Sequence, residues 1–91
     1  MRVSTGTLHD VIAEAVTVTA PPSDKGRQLK IYYATQFATN PPTFAIVVNE
    51  PKIMHFSYQR YLENYIRKSF SLDATPIRIK IRQRGRNDEL K

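Results

Sequence analysis

The chain has 91 residues, no cysteine, 41% hydrophobic and 24% charged residues, and a formal net charge of +6. That length supports one small hydrophobic core, and without cysteine neither a disulfide nor a thiolate metal site can form. No apolar run approaches the ~20 residues of a membrane-spanning helix and no signal peptide opens the chain, so a cytoplasmic globular module without a membrane partner is expected.

The first element is helical. Leu8, Val11, Ile12, Ala15 and Val16 recur at helix spacing after Ser4 and Thr5, either of which can cap. The segment 17–28 (TVTAPPSDKGRQ) reads as a loop: Pro21-Pro22 excludes helix and Asp24-Lys25-Gly26 supplies turn chemistry. Strand alternation follows. Over residues 29–37 one face carries Leu29, Ile31, Tyr33, Thr35 and Phe37, and the other Lys30, Tyr32, Ala34 and Gln36. Asn40-Pro41-Pro42 interrupts it, and residues 43–49 resume with Phe44, Ile46 and Val48 on one side, which predicts an antiparallel hairpin. Asn49-Glu50-Pro51 ends the second strand, and residues 52–56 are expected to form a brief turn.

Ser57 is the expected N-cap of a long amphipathic helix. Tyr58, Tyr61, Leu62, Tyr65, Ile66 and Phe70 form its apolar stripe, and Gln59, Arg60, Glu63, Asn64, Arg67 and Lys68 its outer face. After a loop at 71–76, Ile77, Ile79 and Ile81 alternate with Arg78, Lys80 and Arg82, giving a strand with one apolar and one basic face. The predicted fold is α+β: a two-layer domain of order α-β-β-α-β, with a three-stranded mixed sheet and helices on one face. The sheet is expected to bury Ile31, Tyr33, Phe44, Ile46, Val48, Ile77, Ile79 and Ile81 beneath Leu62, Ile66 and Phe70. The connection through the long helix is expected to be a right-handed crossover.

Charge is concentrated at the end of the chain. Residues 78–91 hold six Lys or Arg against two Asp or Glu, whereas residues 1–77 hold eight against six. A local basic field favours phosphate-rich partners. Arg78, Lys80 and Arg82 repeat every ~6.6 Å along one strand face, and Arg84 and Arg86 extend the row. The open sheet face is expected to show Lys30 and Tyr32 from the first strand and Ala45 and Val47 from the second. The cations are candidate RNA contacts. Tyr32, Ala45 and Val47 are candidates for an interdomain interface, since exposed apolar residues in a row usually have a partner.

Catalytic and metal-site patterns are missing from the sequence. His9 and His55 are the only histidines, and no Ser-His-Asp order, paired carboxylates or metal-ligand spacing accompanies them. The stripe Tyr58, Tyr61 and Tyr65 is expected to roof the core, with hydroxyls at its rim.

The strings Leu29-Lys30-Ile31-Tyr32-Tyr33-Ala34-Thr35-Gln36, Pro41-Pro42-Thr43-Phe44, Asn49-Glu50-Pro51, His55-Phe56-Ser57-Tyr58, Arg60-Tyr61-Leu62-Glu63-Asn64 and Thr75-Pro76-Ile77-Arg78 occur in this order. Together they resemble the C-terminal KH-like domain of the EngA/Der family of tandem GTPases, over roughly residues 3–84. Ala38 and Ala74 depart from the family, which commonly has glycine at these two positions, both read as loops. The resemblance implies a longer parent with two P-loop GTPase domains, using GTP and magnesium, that acts in assembly of the large ribosomal subunit. It implies a division into a linker remnant (1–6), a KH-like domain (7–83) and a basic flexible tail (84–91). The implied partners are the GTPase domains of the same parent and ribosomal RNA of the large subunit. With glycine only at positions 6, 26 and 85, the chain can build neither a P-loop nor the Gly-x-x-Gly loop with which KH modules grip single-stranded RNA. It is expected to be non-catalytic and to need no cofactor of its own. The alternative is a stand-alone basic RNA-binding or protein-interaction domain with no GTPase partner.

Overall fold

A computed structural model describes residues 2–72 and 74–85. The order is α1 (Thr5–Val18), β1 (Ser23–Asp24), β2 (Arg27–Gln28), β3 (Ile31–Thr39), β4 (Pro42–Val48), a 3-10 turn (Pro51–Ile53), α2 (Phe56–Ser69) and β5 (Arg78–Gln83). The main sheet runs β3-β4-β5, with β3 antiparallel and β5 parallel to β4. This is the expected α+β architecture. A two-rung hairpin of β1 and β2 occupies part of the predicted 17–28 loop. Its turn residues, Lys25 and Gly26, both have positive φ (52° and 81°), the conformation that matches the twist of a two-residue hairpin.

One face of the sheet carries the core. Phe44, Ile46 and Val48 of β4 meet Leu8, Ile12 and Ala15 of α1 and Leu62 and Ile66 of α2, while Ile79 and Ile81 of β5 pack at the margin. The two helices are also joined by polar ties. The Tyr58 hydroxyl donates to the Thr19 carbonyl (2.7 Å) and the Tyr61 hydroxyl to the Ala15 carbonyl (2.6 Å). Ala15 lies in the last turn of α1, where its carbonyl also accepts the Thr19 amide at 3.0 Å, and Thr19 lies just past the helix. The tyrosines therefore roof the core as expected and pin α2 to the end of α1.

Helix ends follow local chemistry with one surprise. Ser4 caps α1, its hydroxyl accepting from the Thr7 amide at 3.2 Å. At α2 the boundary residue is His55, not Ser57. The His55 carbonyl accepts from both Tyr58 and Gln59 amides (3.0 Å each), and its side chain makes no cap bond. Ser57 lies inside the first turn. The far end of α2 closes with Ser71 in the left-handed region (φ 57°). The Leu72 amide donates to the Arg67 carbonyl (2.7 Å) and the Ser71 amide to the Lys68 carbonyl (3.3 Å), the paired bonds of a glycine-type helix stop. The Arg67 guanidinium reinforces it, pairing with Glu63 at 3.0 Å and donating to the Thr75 carbonyl at 3.3 Å.

Strand β3 departs from simple alternation. Ile31 pairs with Val48, but the next rung joins Tyr33 to Val47, so Tyr32 and Tyr33 together oppose one residue. This bulge inverts the alternation downstream. Ala34 and Gln36 turn to the core face and are buried, whereas Tyr33, expected in the core, and Phe37, read on the same strand face, are 41% and 51% exposed. A second shift, between Gln36 and Ala38, places Phe37 and Ala38 opposite Thr43. Ala38 is thus a strand residue and not part of the hairpin loop. The buried Gln36 is satisfied: its Oε1 accepts from the Val3 amide (2.6 Å) and its Nε2 donates to the Ala38 carbonyl (3.1 Å).

Two measurements check this description. A left-handed serine carries a steric cost that glycine avoids, so Ser71→Gly should stabilise the fold by ~0.5–1 kcal/mol in chemical denaturation. Burial, with the neighbouring Tyr61 second, pushes the Tyr58 phenol up to about 12. The folded state therefore resists its ionisation, and the associated stability is intact below the ordinary tyrosine value near 10. It should be lost as pH rises from about 10 through about 12, and Tyr58→Phe should flatten part of that fall.

Candidate nucleic-acid interface

The sheet face opposite the helices holds the candidate site. In β5 the isoleucines point to the core, so Arg78, Lys80 and Arg82 point away from it. Register sets Arg78 beside Thr43, Lys80 beside Ala45 and Arg82 beside Val47. Across β4, Ala45 pairs with Thr35 and Val47 with Tyr33. The face therefore reads as three rows: a cationic strand, a central strand of small residues, and an edge strand bearing Tyr33, Thr35 and Phe37.

Charge on this face is unbalanced. Strands β3, β4 and β5 contain no Asp or Glu. Among the described residues the ion pairs are Arg27 with Glu50 and Arg67 with Glu63, and neither draws on the β5 cations. The +3 of Arg78, Lys80 and Arg82 is thus offset by no neighbouring carboxylate in the sheet.

The other predicted contacts divide. Arg84 lies with its guanidinium carbon 3.7 Å from the centre of the Tyr32 ring, and its amide donates to the Val48 carbonyl at 2.9 Å. This cation-π contact, worth ~0.5–1 kcal/mol at an exposed site, bridges the end of β5 to the bulge in β3. Lys30 is exposed, and its amide is held by Asn49 Oδ1 at 2.9 Å. Arg86 lies outside the described residues.

Ala45 and Val47 correct an expectation. Both occupy the uncovered face, yet they are only 8% and 5% exposed. Each sits between longer neighbours, Ala45 between Thr35 and Lys80 and Val47 between Tyr33 and Arg82. They form the floor of the face and do not need a partner to cover them. The exposed apolar surface belongs instead to Tyr32, Tyr33 and Phe37, of which Tyr33 had been expected in the core. Their visible signal was weak: a Tyr32-Tyr33 pair at the start of the strand, where two bulky rings in succession suit a bulge.

The two histidines lie apart, and His9 lines the cavity between α1 and β3. His9 is exposed on α1 and His55 is exposed at the start of α2, and no group of three or more His, Asp or Glu gathers among the described residues. A cavity of about 530 Å³ opens between α1 and β3, lined by Ile12, Val16, Leu29, Ile31 and Tyr33 among others.

Burial makes the site residues separable in experiment. Val47→Asp would place a carboxylate on a nearly closed floor and should cost ~2 kcal/mol or more of stability. Tyr33→Ala should cost under 1 kcal/mol. Thermal melts of the two variants check this directly, and equal losses would contradict the described register.

Comparison with known proteins agrees with this fold. A family model described as the KH-domain-like, C-terminal part of EngA bacterial GTPase enzymes matches residues 2–82. The chain is 55% identical over 87 residues to the GTPase Der of Caldicellulosiruptor saccharolyticus, covering 96% of this chain and 20% of that protein. It is 54% identical over 84 residues to the GTPase Der of Listeria innocua, covering 92% and 19%. The chain thus spans about a fifth of the length of these curated relatives.

Proposed function

Because this chain belongs to the KH-domain-like, C-terminal family of the EngA bacterial GTPases, we propose that it is the non-catalytic RNA-contacting module of a tandem GTPase acting in large ribosomal subunit biogenesis. The observation that carries the reading is the β5 row. Arg78, Lys80 and Arg82 share one uncovered face, with no carboxylate in the three strands to neutralise them. Such an arrangement releases counterions on meeting a phosphate backbone and so binds polyanions in a salt-dependent way. Arg84 extends the row on the same side. Lys30 adds a further exposed cation, and Arg86, the next cation in the sequence, is assigned to the same contact.

Nucleotide hydrolysis belongs to the parent's other domains in this reading. Glycine at positions 6, 26 and 85 leaves no place for a phosphate-cradling loop, so GTP and magnesium are assigned to the rest of the parent. The present residues supply positioning alone. The relatives' name, GTPase Der, supports a GTPase parent.

A second use of the same face is docking on the GTPase domains of the parent. Exposed Tyr33 and Phe37 favour it, and the two uses are compatible if the parent's nucleotide state decides which partner the face meets. Separately expressed GTPase domain should then bind the chain in trans.

The RNA reading is tested by titrating ribosomal RNA fragments with the chain across a salt series. The parent chain should lose affinity steeply with salt. A variant with Arg78, Lys80, Arg82 and Arg84 changed to Glu should bind at least ~100-fold more weakly and with a shallower salt slope. Unchanged affinity and slope would remove β5 from RNA binding.

A further inference from the structure

We propose that the uncovered sheet face is a base-stacking platform for single-stranded RNA, with Tyr33 and Phe37 as the stacking rings and Arg78, Lys80 and Arg82 as the phosphate row. The inference rests on the RNA reading above and specifies the form of RNA that the face takes.

The bulge opposite Val47 is what brings the rings out. Without it, Tyr33 and Phe37 would follow Ile31 onto the core face. Instead they stand 41% and 51% exposed on the edge strand, two large rings on the same face as the cationic strand. They are four residues apart, about 13 Å along a strand. The cations of β5 repeat every ~6.6 Å, half that step. Two bases stacked on the rings therefore keep pace with phosphates set along the cationic strand.

The two strands lie about 10 Å apart, with β4 between them. The floor residues Ala45 and Val47 are small and nearly closed, so a sugar–phosphate chain can lie along β5 while its bases reach across to β3. Tyr32 is not a third platform, because Arg84 already covers its ring at 3.7 Å. That contact closes one end of the face.

Duplex RNA fits this surface poorly. A duplex offers phosphates and 2′-hydroxyls but keeps its base faces stacked inside, so it satisfies the cations and leaves both rings bare. A protein partner has the converse difficulty, since it covers the rings but must supply carboxylates for three cations. Single-stranded RNA answers both demands. Stacking is tolerant of base identity, and of the two threonines on the face Thr43 already donates its hydroxyl to the Pro41 carbonyl at 3.0 Å. Sequence preference should be weak.

The test uses the 91-residue chain, labelled ten-nucleotide single strands and a ten-base-pair RNA duplex, followed by fluorescence anisotropy at several salt concentrations. The double variant Tyr33→Ala, Phe37→Ala should bind single strands more weakly by about tenfold for each ring. Its duplex affinity and its salt slope should match the parent's, because no cation is removed. The chain contains no tryptophan, so Phe37→Trp adds a sole reporter whose emission single strands should quench saturably and duplex should not. Undiminished single-strand binding by the alanine variant, or an unquenched tryptophan, overturns the platform while leaving the RNA reading intact. Loss of GTPase-domain capture by the alanine variant, with single-strand binding unchanged, overturns it in favour of a protein dock. If the parent chain binds neither form of RNA, the broader reading falls as well.

Discussion

A single extra residue in an edge strand decides what this surface offers. With Tyr32 and Tyr33 both opposite Val47, β3 changes phase between Ile31 and Ala34. Ahead of the bulge, Leu29 just before the strand is buried and Ile31 packs partly buried against the core, and after it the core face receives Ala34 and Gln36. A small residue and an amide in place of two aromatic rings would leave a deficit, were it not for the N-terminal segment. Val3 is buried there, with its amide held by Gln36, and the Arg2 guanidinium donates to the Gln36 carbonyl at 3.1 Å. The residues ahead of α1 thus fasten the same strand whose rings face outward.

The remaining elements hold that strand in place. Asn49, at the end of β4, accepts the Lys30 and Glu50 amides on its side-chain oxygen and donates to the Gln28 carbonyl. It clasps the β1–β2 hairpin to the start of β3, just ahead of the bulge. On the core side, the Tyr58 and Tyr61 hydroxyls join α2 to the end of α1, so the two helices act as one lid over β4. With both helices committed to one face, the other is left to whatever the strands themselves present.

Much of this was legible in the residues. The 3.6-residue stripe of α2 and the isoleucine alternation of β5 are strong periodic signals, and both elements bury the residues that period selects. The basic face of β5 followed from the same alternation. The phase of β3 did not, because a period of two carries no marker for a skipped residue, and Ile31, Tyr33 and Phe37 look like one apolar face until the pairing partner is known. Burial of Ala45 and Val47 was hidden for a related reason: it depends on the length of side chains on neighbouring strands. The shift from Ser57 to His55 at the start of α2 reflects main-chain bonding, in which the His55 carbonyl takes two amides and no side-chain signature is needed.

The bulge turns Tyr33 and Phe37 outward and Ala34 inward. A soluble paramagnetic agent added to an NMR sample of the chain measures this side chain by side chain. Strong broadening of the Tyr33 and Phe37 ring signals, with sharp Ala34 and Ile46 methyls, is the predicted result. Protected rings beside a broadened Ala34 methyl would contradict it.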